Sequence, residues 1–245
     1  MIKRLKLNKM RLALFVALPI LFSACNDDEV EVIREVEVIV EVPAQVPTPV
    51  DVSYEVTVVN LTNAQPLSPV AVVLHADGNL FSVGEVPSVE LEKMAEGGMN
   101  AGLLALGMAS ASGAAPIGPG GKETISVTIQ DVTDAKLSVV TMLVNTNDAF
   151  SGLNGLDLSS FAVGDSWTTT TRTYDSGTEV NTERAGTMPG PADGGEGFNA
   201  TRNDTGFVSM HPGVISADDG LTNSVLSVQH KFDTPTLRIT VTRIE

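Results

Sequence analysis

Strict alternation of apolar and polar residues, in runs spread from one end of the chain to the other, constrains its fold more than any other feature. Tyr54, Val56 and Val58 alternate with Glu55 and Thr57; Ile125, Val127 and Ile129 alternate with Thr124, Ser126 and Thr128; Leu237, Ile239 and Val241 alternate with Arg238, Thr240 and Thr242. Successive side chains of a strand point to opposite faces, so each run has one face for a core and one for water. Val70–His75 and Lys136–Val144 are apolar on both faces and read as central strands. Ala149–Leu153 returns toward the core, Trp167–Tyr174 is a threonine-rich strand, and Phe207-Val208 leads into the closing segments of the domain. Strands this numerous and short, joined by polar turns, predict an all-β antiparallel β-sandwich.

Helical signals are confined to one connection. Pro87-Ser88 supplies a cap, Leu91, Met94 and Ala95 recur at helical spacing, and Gly97-Gly98 ends the segment. Met99–Met108 reads as a second short helix, Ser112–Gly121 as a loop, and residues 181–206 as a long exposed loop rich in Gly, Asn and Asp. Trp167 is expected to anchor packing, and His75, on an apolar strand, to be a satisfied core or rim histidine.

The first 51 residues stand apart, although Glu29–Val32 and Glu35–Val38 also alternate and leave an edge strand as the alternative there. Lys3, Arg4, Lys6, Lys9 and Arg11 precede the apolar run Leu12–Phe22, which is too short to span a bilayer and is followed by Ser23-Ala24 and then Cys25, the one cysteine. Residues 1–24 thus read as a bacterial lipoprotein signal peptide, with Cys25 the lipidated first residue of the mature chain and its anchor in the cell envelope. Residues 25–51 read as an extended tether. Glu29-Val-Glu-Val-Ile-Arg34 and its two degenerate repeats lead into Pro43, Pro47 and Pro49, which impose extended geometry. The domain proper is residues 52–245, long enough to bury one core without disulfides.

Charge narrows the partners. Of 15 basic and 30 acidic side chains, five basic ones lie before Cys25, leaving ten against thirty, a net −20. Such a surface excludes nucleic acid and electrostatic docking on anionic lipid, and it leaves carboxylates for hard cations.

Candidate chemistry concentrates in Tyr174-Asp175-Ser176-Gly177-Thr178-Glu179, where two carboxylates bracket a glycine beside two hydroxyls. Asp175-Ser-Gly and Asp204-Thr-Gly each match the aspartic-protease signature, but polar residues precede both and a separation of 29 positions is too short for one lobe. His75, His211 and His230 form no zinc-like spacing, no Gly-X-Ser-X-Gly elbow is present, and His211-Pro212-Gly213 reads as a turn.

The chain resembles the spondin N-terminal domain family across residues 52–245. The resemblance runs through Tyr54-Glu-Val-Thr-Val-Val-Asn-Leu-Thr62, Pro66-Leu-Ser-Pro69, Leu74-His75, Asn79-Leu-Phe81 and Leu91–Glu96. It continues through Asp148-Ala-Phe-Ser-Gly-Leu153, Asp175-Ser-Gly-Thr-Glu179, His211-Pro-Gly213 and Ile239–Arg243. It implies an eight-stranded sandwich similar to C2 domains, a calcium site at Asp148, Asp175 and Glu179, and a non-catalytic role in adhesion toward an unknown protein or glycan partner. Glu179 stands where animal members usually carry Asp. The cysteines of those members are absent, so their receptors do not transfer. The competing expectation is an envelope protein of the same fold with a small-ligand or hydrolytic site in the 181–206 loop.

Overall fold

The computed structural model describes residues 48–76 and 78–245. The signal peptide, Cys25 and the tether up to residue 47 lie outside the described residues, as does Asp77 of the Asp77-Gly78-Asn79 turn.

Ten strands and two short helices follow in the order β1 (Asp51–Asn60), β2 (Ala71–His75), α1 (Val89–Gly97), α2 (Ala101–Leu104), β3 (Ala109–Ser112), β4 (Lys122–Gln130), β5 (Lys136–Met142), β6 (Ala149–Asp157), β7 (Ser166–Thr171), β8 (Thr173–Asp175), β9 (Ser209–Met210) and β10 (Leu237–Arg243). They form two antiparallel sheets, β4-β1-β10-β7 and β3-β2-β5-β6-β8-β9. The all-β sandwich expected from the alternation is what forms.

The three alternating runs are β1, β4 and β10, neighbours in the smaller sheet. Their apolar residues Tyr54, Val56, Val58, Ile125, Val127, Ile239 and Val241 meet Val72, Leu74, Leu137 and Val139 of the larger sheet in the main core. Each such side chain contributes about 1.5–3 kcal/mol on burial. The double-sided strands β2 and β5 serve two cores. Ala71, Val73 and Val140 point to the sheet's other face, where Leu91, Met94, Ala95 and Leu103 of the helices cover them with Phe81 and Phe150. Ser88 caps α1 by accepting from the Leu91 N–H at 3.1 Å, and Gly98, at φ +65°, ends it.

Among the described residues the strand count is ten rather than eight. Ala109–Ser112, between the expected helix at Met99–Met108 and the loop expected from Ser112, pairs with β2 as β3. The run Trp167–Tyr174 is two strands, because the chain changes sheets at Arg172. β7 pairs with β10 in one sheet and β8 with β6 in the other. Buried hydroxyls hold this crossing: Ser151 Oγ donates to the Arg172 carbonyl at 2.7 Å, and Thr173 and Thr236 hydroxyls share a 2.8 Å bond.

The exposed loop expected at 181–206 is also corrected. It is irregular but partly buried, because Met188 packs with Val214 and Leu226 in a small third core flanked by Ala192 and Phe232. The carboxylate of Glu183 is buried there as well. No helix among the described residues is long and apolar enough to cross a membrane.

Candidate metal centre

Sheet register brings the first two acids together. β6 and β8 are antiparallel with Ala149 opposite Asp175, so Asp148, one residue before β6, and Asp175, the last residue of β8, share one end of the sheet. The next turn folds over Asp148. Ser176 Oγ donates to Asp148 Oδ2 at 2.8 Å, and the backbone N–H groups of Thr178 and Glu179 donate to the same oxygen at 3.0 and 3.2 Å. Asp148 Oδ1 receives nothing, although the residue is fully buried. Gly177, at φ +71°, makes the turn, and a Cβ there would run into the Phe207 carbonyl oxygen.

The third acid comes from a segment laid against this turn. Gly206 N–H donates to the Gly177 carbonyl at 2.8 Å and Asn203 N–H to the Thr178 carbonyl at 3.0 Å, which places Asp204 beside Asp175. One carboxylate oxygen from each of Asp148, Asp175 and Asp204 lies within 4.8 Å of the others. The separation of 29 residues does not keep Asp175 and Asp204 apart, because the intervening chain folds back on itself.

Glu179 is not one of these three. Its Oε1 accepts from Asn147 Nδ2 at 2.9 Å. Burial pushes its carboxyl up to about 7, with the charges of Glu96, Asp148 and Glu196 adding to the shift. Burial, then the Asp175 charge, raises Asp148 to about 7 against the pull of its three donors. Asp175 is raised by burial, offset by hydrogen bonds from Asn181, Gly177 and the neighbouring Asp148 carboxyl, and Asp204 is raised by burial and by the Asp175 charge against the Thr205 N–H. Every neighbouring charge that bears on these four carboxyls is itself acidic. The site is an electrostatic deficit that a cation would relieve.

Asp175 is held through both oxygens. Oδ1 accepts from Gly177 N–H at 2.7 Å and Oδ2 from Asn181 Nδ2 at 2.6 Å. Behind Asn181 lies His211, partly buried and bonded to Asn181 Oδ1 through Nε2 at 3.1 Å. Sequence reading missed Asn147, Asn181 and His211 as parts of the site, and it saw Asp204 only as half of a protease-like pair. The repeated Asp-hydroxyl-Gly pattern at 175–177 and 204–206 was the available signal. His75 is buried and bonded to Ser138 Oγ at 2.8 Å, and Trp167 packs on the main core, both as expected.

Two surface clefts among the described residues are lined neither by residues 181–206 nor by any of these acids. One, of about 700 Å³, runs along Pro212–Ile215 and Lys231–Asp233 with Asp219; the other, of about 290 Å³, lies where β7 leaves for β8, between Phe81, Asn154, Arg172 and Tyr174. Compared with family models and with characterised proteins, the chain matches none.

Proposed function

We propose that this is a lipid-anchored cell-envelope module of the spondin N-terminal type, non-catalytic, that binds calcium structurally and presents an adhesion or interaction surface. The observation that carries the calcium reading is the orphaned Oδ1 of Asp148. A fully buried carboxylate oxygen without a donor is costly, and the residue that carries it shares its site with the carboxylates of Asp175 and Asp204. The donor set is all oxygen, which suits a hard cation and not zinc, with its preference for nitrogen and sulfur. Two calcium ligands on opposite sides of the ion stand about 4.8 Å apart, at roughly 2.4 Å each, so the spacing of the three aspartates fits that shell. Asp148, Asp175 and Asp204 would be the ligands, with Glu179 nearby. Bound there, calcium would tie the 148 loop, the 176–179 turn and the 203–206 segment together.

Calcium titration during thermal unfolding tests the reading. A ligand that binds only the folded state at a hundred times its Kd adds about 2.7 kcal/mol, which is roughly 5–10 °C in a domain of this size. An unchanged midpoint at millimolar calcium would end the calcium assignment. Anchoring is tested separately: Cys25→Ser should move the protein from the membrane fraction to the soluble one. Recovery of the same envelope partner with calcium, and its loss with chelator, would support the adhesive role.

A further inference from the structure

We propose that Asn181 and His211 are positioning residues of this cation site, forming a one-way hydrogen-bond relay that aims Asp175. The inference rests on the calcium reading and deepens it. Its direction is fixed at both ends. At one end the Gly213 backbone N–H, which can only donate, points at His211 Nδ1 at 2.9 Å. Nδ1 therefore carries no proton. Burial holds the imidazole neutral, its pKa pushed down to about 4, so its proton sits on Nε2. Nε2–H must then donate to Asn181 Oδ1, which turns the amide so that Nδ2 donates to Asp175 Oδ2. At that far end the carboxylate can only accept. No other arrangement of protons satisfies all three bonds.

The relay stands on rigid supports. Gly213, at φ +92°, lets its N–H turn back onto the ring two residues earlier. The ring packs against Phe232 with centroids 5.2 Å apart. Glu183 holds the following residues by accepting from Ile215 N–H at 2.6 Å and Ser216 N–H at 2.9 Å. The chemical logic is that an amide stabilises the anionic form of Asp175 without bringing positive charge. A lysine or protonated histidine at the same place would neutralise the acid and compete with the cation. With Gly177 N–H on its other oxygen, Asp175 has lost its freedom to rotate, and the remaining lone pairs are left for the site shared with Asp148 and Asp204. Outer-shell partners of this kind are typically worth 10–100-fold in metal affinity.

Calorimetric calcium titration of the full chain, of Asn181→Ala and of His211→Leu, with melting curves in chelator, separates positioning from plain structural support. Both variants are expected to bind calcium 10–100-fold more weakly, and His211→Gln, which keeps a donor on that side, should recover part of the loss. The midpoint in chelator should fall by less than the midpoint in calcium. Nitrogen NMR of wild-type His211 should show the neutral tautomer with the proton on Nε2, a readout that needs no variant to fold. Wild-type calcium affinity in Asn181→Ala, equal loss of stability with and without calcium, or a proton on Nδ1 would overturn the relay while leaving the calcium site standing. Wild-type protein that binds no calcium would overturn both.

Discussion

Ser176 Oγ donates to Asp148 Oδ2 at 2.8 Å, while Asp148 Oδ1, on the same buried carboxylate, has no donor at all. One oxygen belongs to the fold and the other to whatever enters the site. The division predicts different fates for two substitutions. Asp148→Asn can place its amide oxygen where Oδ2 stood and keep the donors from Ser176, Thr178 and Glu179 satisfied. It is expected to fold, to melt no lower than wild type in chelator, and to lose the stabilisation by calcium. Asp148→Ala leaves three buried donors unpaired, at about 1–3 kcal/mol each, and is expected to cost several times more in chemical denaturation. Equal destabilisation by the two variants would show that the oxygens are not divided this way.

The raised carboxyls set the pH dependence of the calcium-free protein. Asp148 and Glu179 both titrate at about 7 in the fold, above their ordinary values near 4. The folded state thus holds protons that the unfolded state has already released. Their contribution is complete below pH about 4 and is lost as pH rises through about 7. His211 acts in the opposite sense. Its folded pKa of about 4 lies below the ordinary 6.5, so its contribution is lost as pH falls from about 6.5 toward 4. Two carboxyls outweigh one imidazole, and Asp175 and Asp204 are shifted in the same direction as the pair. In chelator the melting midpoint is expected to be higher at pH 5.5 than at pH 8, and Asp148→Asn should flatten the difference. Saturating calcium should shrink it too, since it stabilises the ionised form. A calcium-free midpoint that rises steadily to pH 8 would contradict these shifts.

Two acids compete to complete the site, and their placement ranks them. Asp204 shares the cluster with Asp148 and Asp175, whereas Glu179 accepts from Asn147 and lies among Glu96 and Glu196. Asp204→Asn is expected to weaken calcium binding about tenfold or more, as loss of a charged ligand does. Glu179→Gln, which keeps its bond to Asn147, is expected to weaken it less. The reverse order, measured by calorimetry, would mean that the glutamate swings into the shell when the ion arrives.

What the sequence could reveal followed from periodicity. The faces of β1, β4 and β10, the double-sided burial of β2 and β5 and the capped helix α1 all depend on residues close in the chain, and each was legible. The switch of sheets at Arg172 was not, because Thr171 and Thr173 look alike in sequence and are separated only by which distant strand pairs with them. Asp175 and Glu179 stood out as a local pair, Asp148 joined them only through the family resemblance, and the antiparallel register explains why the two aspartates meet. Asp204, Asn181 and His211 escaped because the segment from 181 to 235 has little regular structure. Its path is set by long-range bonds to side chains such as Glu183 and by the small core around Met188, neither of which leaves a repeating pattern.

Glu183 provides the last test, of that irregular segment. Its carboxylate is buried and accepts three bonds: Ile215 N–H at 2.6 Å, Ser216 N–H at 2.9 Å and Ser224 Oγ at 2.6 Å. Its own backbone sits at φ +52° and donates to Asn147 Oδ1 at 3.2 Å, next to the cation site. Glu183→Gln turns one acceptor into a donor facing an N–H, and is expected to cost about 1–3 kcal/mol. Glu183→Ala leaves all three donors unpaired and should cost more. Glu183→Gly relieves the positive φ while removing the same acceptors, so the difference between Gly and Ala isolates the backbone component. The damage should be local: hydrogen exchange is expected to accelerate in residues 213–226 well before the main core of β1, β4 and β10 opens. Uniform acceleration across both sheets would mean that the segment is part of one cooperative unit with the sandwich, and that Glu183 supports the whole fold rather than the wall behind His211.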